Sequence, residues 1–530
     1  MKRSTKKGFT IVELVIVIAV IAILAAVLIP TFSSLIKKAN LSSDMQAVRT
    51  INLALQTYEA ENGKPANVDQ AMLIIEEAGY DVATYHPLTK GYEIYWVDTI
   101  NRVVLYSTTD RECVYPDDYA GAQFDNLGSW HTLNESYKEA IKYDFEADHS
   151  AVEVDKTDDK ISSITFKAVE TDEDAKDAGS ALYAIFVQQN EGALPKDVEI
   201  KLPEKVDVSN YIWKPVKEFT GDLIGVSAEN PTVISGVTLD ESVSFTQSAQ
   251  FEGQSLGKPS GYNVYGFIDK VTGTSVIENL RFENFTLTSP GTDFANVPGI
   301  SSNANVLAPI GCIVPGENGE AANVTINNVH VKNGTIEGIG RVSGLVGYIG
   351  GFAKGDTTNC LAGSVTISNC TVDAVNMTGG LGSVPYGTAG GLVSYLIRTK
   401  ADENGNPFTL AIENCSVTNC KISGTAFAAG AIGWLNVKSE DPSAEVYIKG
   451  LTLKNNQITR VESTESNGGI KASLLVGGAY GKDRAFFDGV KENISDNTVV
   501  SPQGTLKDET GETSVTFDKT KVDDFFANKG

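Results

Sequence analysis

Three residues near the amino terminus could do chemistry together: Gly8, Phe9 and Glu13. Glu13 is the carboxylate in a run from Phe9 to Ile29 that is otherwise apolar except for Thr10. An acid inside such a run costs about 2.5–3.5 kcal/mol to insert into a bilayer, and such residues usually have a partner. Hydrolysis of the Gly8–Phe9 peptide bond would supply one. It frees an α-amino cation at Phe9, and Glu13 becomes the fifth residue of the shortened chain. In a bilayer that amine and the carboxylate, from the same or a neighbouring subunit, can neutralise each other.

The element that must position these groups is a helix. The 21 residues from Phe9 to Ile29 match the span of roughly 20 that crosses about 30 Å of hydrocarbon. Lys2, Arg3, Lys6 and Lys7 precede it, which keeps the amino terminus in the cytoplasm. A cleavable secretory signal has a shorter apolar core with its small-residue site behind it; here the glycine lies in front. Beyond Pro30, the residues Leu41, Met45, Val48, Ile51 or Asn52, Leu55 and Tyr58 recur at steps of three and four, one apolar helix face. Asn62-Gly63 followed by Pro65 is a stop signal. One helix is therefore expected from Phe9 to Glu61. A small head should follow over 62–110, with a helix over 68–78. Strands over 92–97 and 102–107 then form a β-hairpin around Asp98-Thr99-Ile100-Asn101.

The stretch KKGFTIVELVIVIAVIAILAAVLIP resembles the cleavage and methylation signal of type IV pilins and pseudopilins. The resemblance implies that residues 1–8 are a leader and that a prepilin peptidase cuts after Gly8 and N-methylates Phe9. It implies that Glu13 guides assembly with other pilin subunits and that Pro30 kinks the helix. It also implies a single pass through the cytoplasmic membrane by residues 9–29 before assembly, and an extracellular filament after it. The signal is shared by pilus subunits and by pseudopilins of type II secretion or DNA-uptake systems, so both remain open at this point.

At 530 residues the chain is long enough for two to four domains, and 42% hydrophobic with 21% charged residues is a globular composition. A net charge of −24 argues against a nucleic-acid partner, which calls for a basic footprint. Cys113, Cys312, Cys360, Cys370, Cys415 and Cys420 show no CxxC spacing, and the four histidines no ligand pair; no metal or cofactor is expected. Residues 111–160, rich in acid near their end, read as a partly ordered linker. A strand is expected over 162–169, a helix over 172–189 and another strand over 198–202.

The second half repeats. Segments starting at Val276, Val324, Val365, Leu410 and Val446 align on Ile277, Ile326, Ile367, Ile412 and Ile448, at steps of 49, 41, 45 and 36 residues. Asn279, Asn328, Asn369 and Asn414 follow two residues later, then Gly450. Glycine-rich pieces such as Gly344-Leu345-Val346-Gly347-Tyr348 and Gly391-Leu392-Val393-Ser394-Tyr395 lie between. One such copy cannot bury its apolar face, and stacked copies can. The expected fold is thus an α+β pilin module, with a long transmembrane helix and a small antiparallel sheet, followed by an all-β parallel β-helix over 161–500 with five or six repeats. The four asparagines should form a ladder inside a turn, each amide bonding the next rung, with Cys370 and Cys415 stacked as buried apolar residues. GLVGYIGG, AGGLVSYL, ISNCTV and IENCSV resemble the right-handed β-helix domains of bacterial surface proteins with GLUG repeats. That resemblance implies an adhesion domain whose ligand is an extracellular glycan or protein. Residues 501–530 form a polar tail, or a cap in which Phe525 and Phe526 cover the solenoid end. A β-helix hydrolase would need two carboxylates on one groove. Glu278, Glu283, Glu337, Asp373 and Glu413 do not cluster that way in the repeat, so no catalytic residues and no enzyme are expected, and a polysaccharide-active β-helix is the third reading after the pilus and pseudopilin ones.

Overall fold

The structure is a computed structural model. It describes residues 11–65, 68–80, 86–97, 99–124, 128–129, 135–145, 151–211, 213, 215–239, 263–288, 305–316, 319–351, 360–380, 387–437, 444–461, 471–480, 484–501, 504–506 and 515–528. The chain forms two compact units, Met1–Asn134 and Glu135–Gly530.

In the first unit a single helix α1 (Ile11–Asn62, 52 residues) runs through Pro30. Its leading part exposes a row of apolar side chains, Leu14 to Ile18, Val20 and Ile21. Among the described residues no helix is long and apolar enough to cross a membrane. The span expected over 9–29 is therefore not found in the structure. Residues 9 and 10, and the side chains of Glu13 and 23–29, lie outside the described set, so the described apolar run is shorter than a bilayer needs. Further along, α1 buries Val48, Ile51 and Leu55 together with two polar residues, Asp44 and Asn52. A second helix, α2 (Val68–Glu77), buries Ala71 to Ile75. Gly79 closes it with a φ of +87°, a conformation glycine takes without a Cβ penalty.

The hairpin lies where the alternation places it: β1 (Tyr92–Val97) and β2 (Arg102–Ser107) pair antiparallel from Tyr92↔Ser107 to Val97↔Arg102. Trp96 points into the core while Tyr92 and Tyr95 are partly exposed. Within 111–160, expected to be a partly ordered linker, the described residues include regular elements. β3 (Glu112–Tyr115) and β4 (Gly128–Ser129) flank the hairpin in the order β3-β2-β1-β4. In the second unit α3 (Glu135–Ile141) packs on a later helix, and β5 (Val152–Thr157) pairs antiparallel with β6 (Lys160–Phe166). The acidic residues that suggested a linker sit on turns and outward strand positions: Asp158 and Asp159 make the tight β5–β6 turn at φ of 52° and 61°.

The rest of the second unit is a stack of parallel strands, an arrangement consistent with a parallel β-helix. Each copy of the repeat is one coil and contributes to four sheets in turn, called here the first to fourth faces. One coil runs through Thr274–Glu283, Thr286–Thr288, Asn305–Leu307 and Ile310–Ile313 before the next begins at Ala322–Lys332. The isoleucines aligned from sequence pair in register on the first face, Ile277↔Ile326↔Ile367↔Ile412↔Ile448. The same column extends further than the repeat could be read. Ile164, Ile200 and Leu223 precede it, and Phe487 and Phe517 follow it. From Ile164 to Phe487 no member is more than 1% exposed. Burying each such side chain contributes about 1.5–3 kcal/mol, so the stacked column supplies what one coil lacks. The uneven steps between copies leave this register unbroken.

The two ends are covered differently. At the first coils α4 (Asp172–Asn190) is buried on most sides. It begins with a capping box, in which Asp174 N donates to Thr171 Oγ1 and Thr171 N donates to Asp174 Oδ2. A Cβ on Gly179 would collide with the Asp207 carbonyl, so this residue lets the helix sit directly on the first coils. Phe186 meets Trp213, Phe219 and Phe267 edge-on. At the far end, where a polar tail or a cap by Phe525 and Phe526 was expected, the chain forms α5 (Lys519–Ala527). Phe525 stacks on Tyr447 at 3.9 Å, and Tyr447 alternates with inward-facing Val446 and Ile448. The helix therefore lies along the outside of the first face, where Lys449 pairs with Asp523 at 3.3 Å.

Candidate functional site

Gly8 and Phe9 lie outside the described residues. Glu13 and Pro30 lie within α1, and their side chains are outside the description. What the first unit does show is how the helix that would carry this signal is held. Both carboxylate oxygens of buried Asp44 accept backbone N–H groups, from Leu88 at 2.8 Å and Thr89 at 2.9 Å. Asn52 clasps β2 with both ends of its amide: Nδ2 donates to Val103 O and Val103 N donates to Oδ1, each at 2.8 Å. Arg102 pairs with Glu59 at 2.9 Å. The apolar face read from sequence is thus keyed by polar residues, and Asp44, which that reading passed over, is among them. Replacing Asn52 by leucine would strand two backbone groups, at about 1–3 kcal/mol each. Asn52→Leu should therefore lower the unfolding free energy of the first unit by several kcal/mol, followed by denaturant titration of its tryptophan signal.

The asparagine column sits at a corner of each coil, and all four residues are left-handed: Asn279, Asn328, Asn369 and Asn414 have φ of 59°, 54°, 55° and 51°. Asparagine tolerates this region better than most residues. The side-chain bonding is less uniform than a simple ladder. Asn328 Nδ2 donates to Asn279 Oδ1 at 3.0 Å, but Asn369 Nδ2 donates to Asn327 Oδ1 at 2.9 Å. A second left-handed column at the next corner was not read from the sequence: Asn284, Asn333, Ala374, Asn419, Asn455 and Asp496. Its signal was present as a recurring asparagine five residues after the first, interrupted by Ala374. There Asn419 Nδ2 donates to Asp373 Oδ1 at 2.7 Å. Both columns are backbone devices that turn the chain between faces. Asn328→Ala should destabilise the unit by about 2–3 kcal/mol, the sum of a left-handed alanine and lost hydrogen bonds. Asn328→Gly should recover about 1 kcal/mol of that, read from paired denaturation curves.

None of the six cysteines is in a disulfide, and all but Cys360 are buried. Burial pushes the Cys113 thiol up to about 11 and the Cys420 thiol up to about 12, away from the thiolate a nucleophile needs. The folded protein should react with a disulfide dye at Cys360 and release the other five thiols only on unfolding, a count made by absorbance. His330 bridges Thr371 and Asn328 at 2.8 and 2.9 Å, and burial lowers its pKa. Among the described residues no group of three or more His, Cys, Asp or Glu could hold a metal ion. Glu278 and Glu413 occupy one column, separated by Asn327 and Ser368. Three strand spacings put them roughly 14 Å apart, wider than the pairs that cleave glycosides.

Residues 3–29 match the family model of the prokaryotic N-terminal methylation motif. The chain is similar to a type IV major fimbrial protein of Dichelobacter nodosus, 40% identical over 64 residues, which is 12% of this chain and 41% of that protein. It is similar to a type IV wide pilus major component of Thermus thermophilus, 45% identical over 71 residues, or 13% of this chain and 51% of that one. It is also similar to the type II secretion system core protein G of Klebsiella michiganensis, 27% identical over 89 residues, or 16% and 63% of the two chains. The chain thus spans from about 41% to 63% of the lengths of these relatives. No solved structure matches it. The amino-terminal part therefore carries the N-terminal methylation motif and is similar to type IV pilus subunits and to a type II secretion core protein.

Proposed function

We propose that this chain is a pilin-like subunit that displays its stacked-sheet unit at the cell surface for binding. A prepilin peptidase removes residues 1–8 and methylates Phe9. The helix from Phe9 onward holds the subunit in the cytoplasmic membrane, and Glu13 neutralises the new amine of a neighbouring pilin as it enters a filament. The observation that carries this reading is the methylation motif at residues 3–29, joined in one chain to a large second unit, Glu135–Gly530. That second unit reads as a GLUG-type right-handed β-helix with an adhesive rather than a catalytic role. Such a unit on every subunit would crowd a shaft, which favours a minor or tip position. Immunogold labelling of the second unit tests this: label confined to filament ends supports it, and label along whole shafts overturns it.

The similarity to a type II secretion core protein favours a second reading, a pseudopilin whose second unit contacts cargo. Deletion would then block export of a secreted protein and leave surface filaments intact.

A further inference from the structure

We infer that the corner between the third and fourth faces carries a binding ribbon for a neutral glycan chain; this rests on the surface-display reading and assigns its ligand class and site. The fourth face has an in-register column of aromatic residues on three successive coils, Tyr348↔Tyr395↔Trp434. Their rings are near parallel with centroids 6.1 Å apart at both steps. The residue before each is small: Gly347, Ser394 and Gly433. A Cβ on Gly478, which takes the column's place in the next coil, would lie 2.6 Å from Phe427 Cε1, so the Phe427 side chain of the third face folds over this column. Phe427 lies 4.4 Å from Trp434 between ring centroids, and the Arg341 guanidinium lies 4.3 Å from the centre of Tyr395. Tyr348 anchors one end in a satellite apolar cluster with Val306 and Cys312. Tyr395, Phe427 and Trp434 are partly exposed.

The same column holds Lys270 in an earlier coil and Gly478 in a later one. Stacking of coils therefore does not require aromatics there; Tyr348 belongs to a buried apolar cluster against which Tyr395 packs, while Tyr395 and Trp434 keep part of their ring surface exposed. Tyr348 is fully buried, so the open part of the ribbon is Tyr395 and Trp434 on adjacent rungs, about 5 Å apart, flanked by Phe427, which suits two pyranose rings laid end to end. Their C–H faces pack on aromatic rings while their hydroxyls stay wet, the amphipathic match that Tyr and Trp provide. Charge narrows the ligand. Arg341 is nearly buried over the rings, and the chain carries a net −24, which repels polyanions. Strand addition by a peptide is excluded at the centre of the ribbon. The strand with Tyr395 is paired on both sides, as is the strand with Phe427, so no edge is open.

The test titrates the full chain in detergent with oligosaccharides of chitin, cellulose and mannan, and with heparin as the anionic probe. One neutral series should bind saturably, with an affinity that salt leaves unchanged, and heparin should not. Tyr395→Ala and Trp434→Ala should each weaken binding about tenfold, the factor set by about 1.4 kcal/mol. Because these substitutions can disturb the corner, the unaltered protein supplies a second readout. The bound sugar should protect Trp434 from N-bromosuccinimide oxidation, followed by peptide mass. Absence of neutral-glycan binding, binding without protection of Trp434, or tighter binding of heparin overturns the inference. A correctly processed chain that binds no glycan sinks this inference and leaves the pilin reading standing. An unprocessed chain that binds glycan does the reverse.

Discussion

Ile367→Asp should cost the stacked-sheet unit about 3–5 kcal/mol at neutral pH, the penalty of burying a carboxyl that must be neutralised where an isoleucine packed. Ile367 is fully buried and paired in register with Ile326 and Ile412. No cation faces it from the apolar column, so the new carboxyl would be held protonated and its folded pKa raised. The sign follows: the unfolded chain gives up that proton at lower pH than the folded one, so the loss is largest above the folded pKa and shrinks as pH falls. Ile367→Val, which removes one methyl group, should cost only about 0.5–1.5 kcal/mol. Denaturation midpoints at neutral and acidic pH measure both. A neutral-pH loss below 1 kcal/mol for the aspartate variant would mean that the column is not the core.

Glu13→Leu should leave cleavage after Gly8 and methylation of Phe9 intact while cutting recovery of the protein in sheared surface filaments more than about tenfold. That is the ratio produced by losing ~1.4 kcal/mol of carboxylate–amine pairing. Leucine is also more favourable than glutamate in a bilayer, so the variant should accumulate in the cytoplasmic membrane. The measurement is the filament-to-membrane ratio by immunoblot. A ratio equal to that of the unaltered protein would remove Glu13 from assembly.

The two units were legible in the sequence to different degrees, for physical reasons. The hairpin of β1 and β2 was read correctly to its bounds because period-two alternation and a polar turn mark it locally. The isoleucine column was read over five coils because a strand repeat conserves which residue faces inward. It was missed at Ile164, Ile200 and Leu223, where short strands carry no asparagine corner to align on. The strands β3 and β5 within 111–160 were not read because acid-rich composition reports solvent exposure, while their backbone pairing is indifferent to outward side chains. Asp44 was invisible for the opposite reason: a buried carboxylate breaks the apolar pattern, and its partners at 88 and 89 are far along the chain. The processing residues are a chemical signal read by a peptidase, so the sequence names them and the fold adds only the helix behind them.

The central claim is that this chain enters the pilin pathway. Intact mass and amino-terminal peptide mass, on protein from cells with and without the prepilin peptidase, test it most directly. The account predicts a chain starting at Phe9 with one added methyl group, and an uncut chain in the peptidase mutant. An uncut amino terminus in normal cells would contradict it.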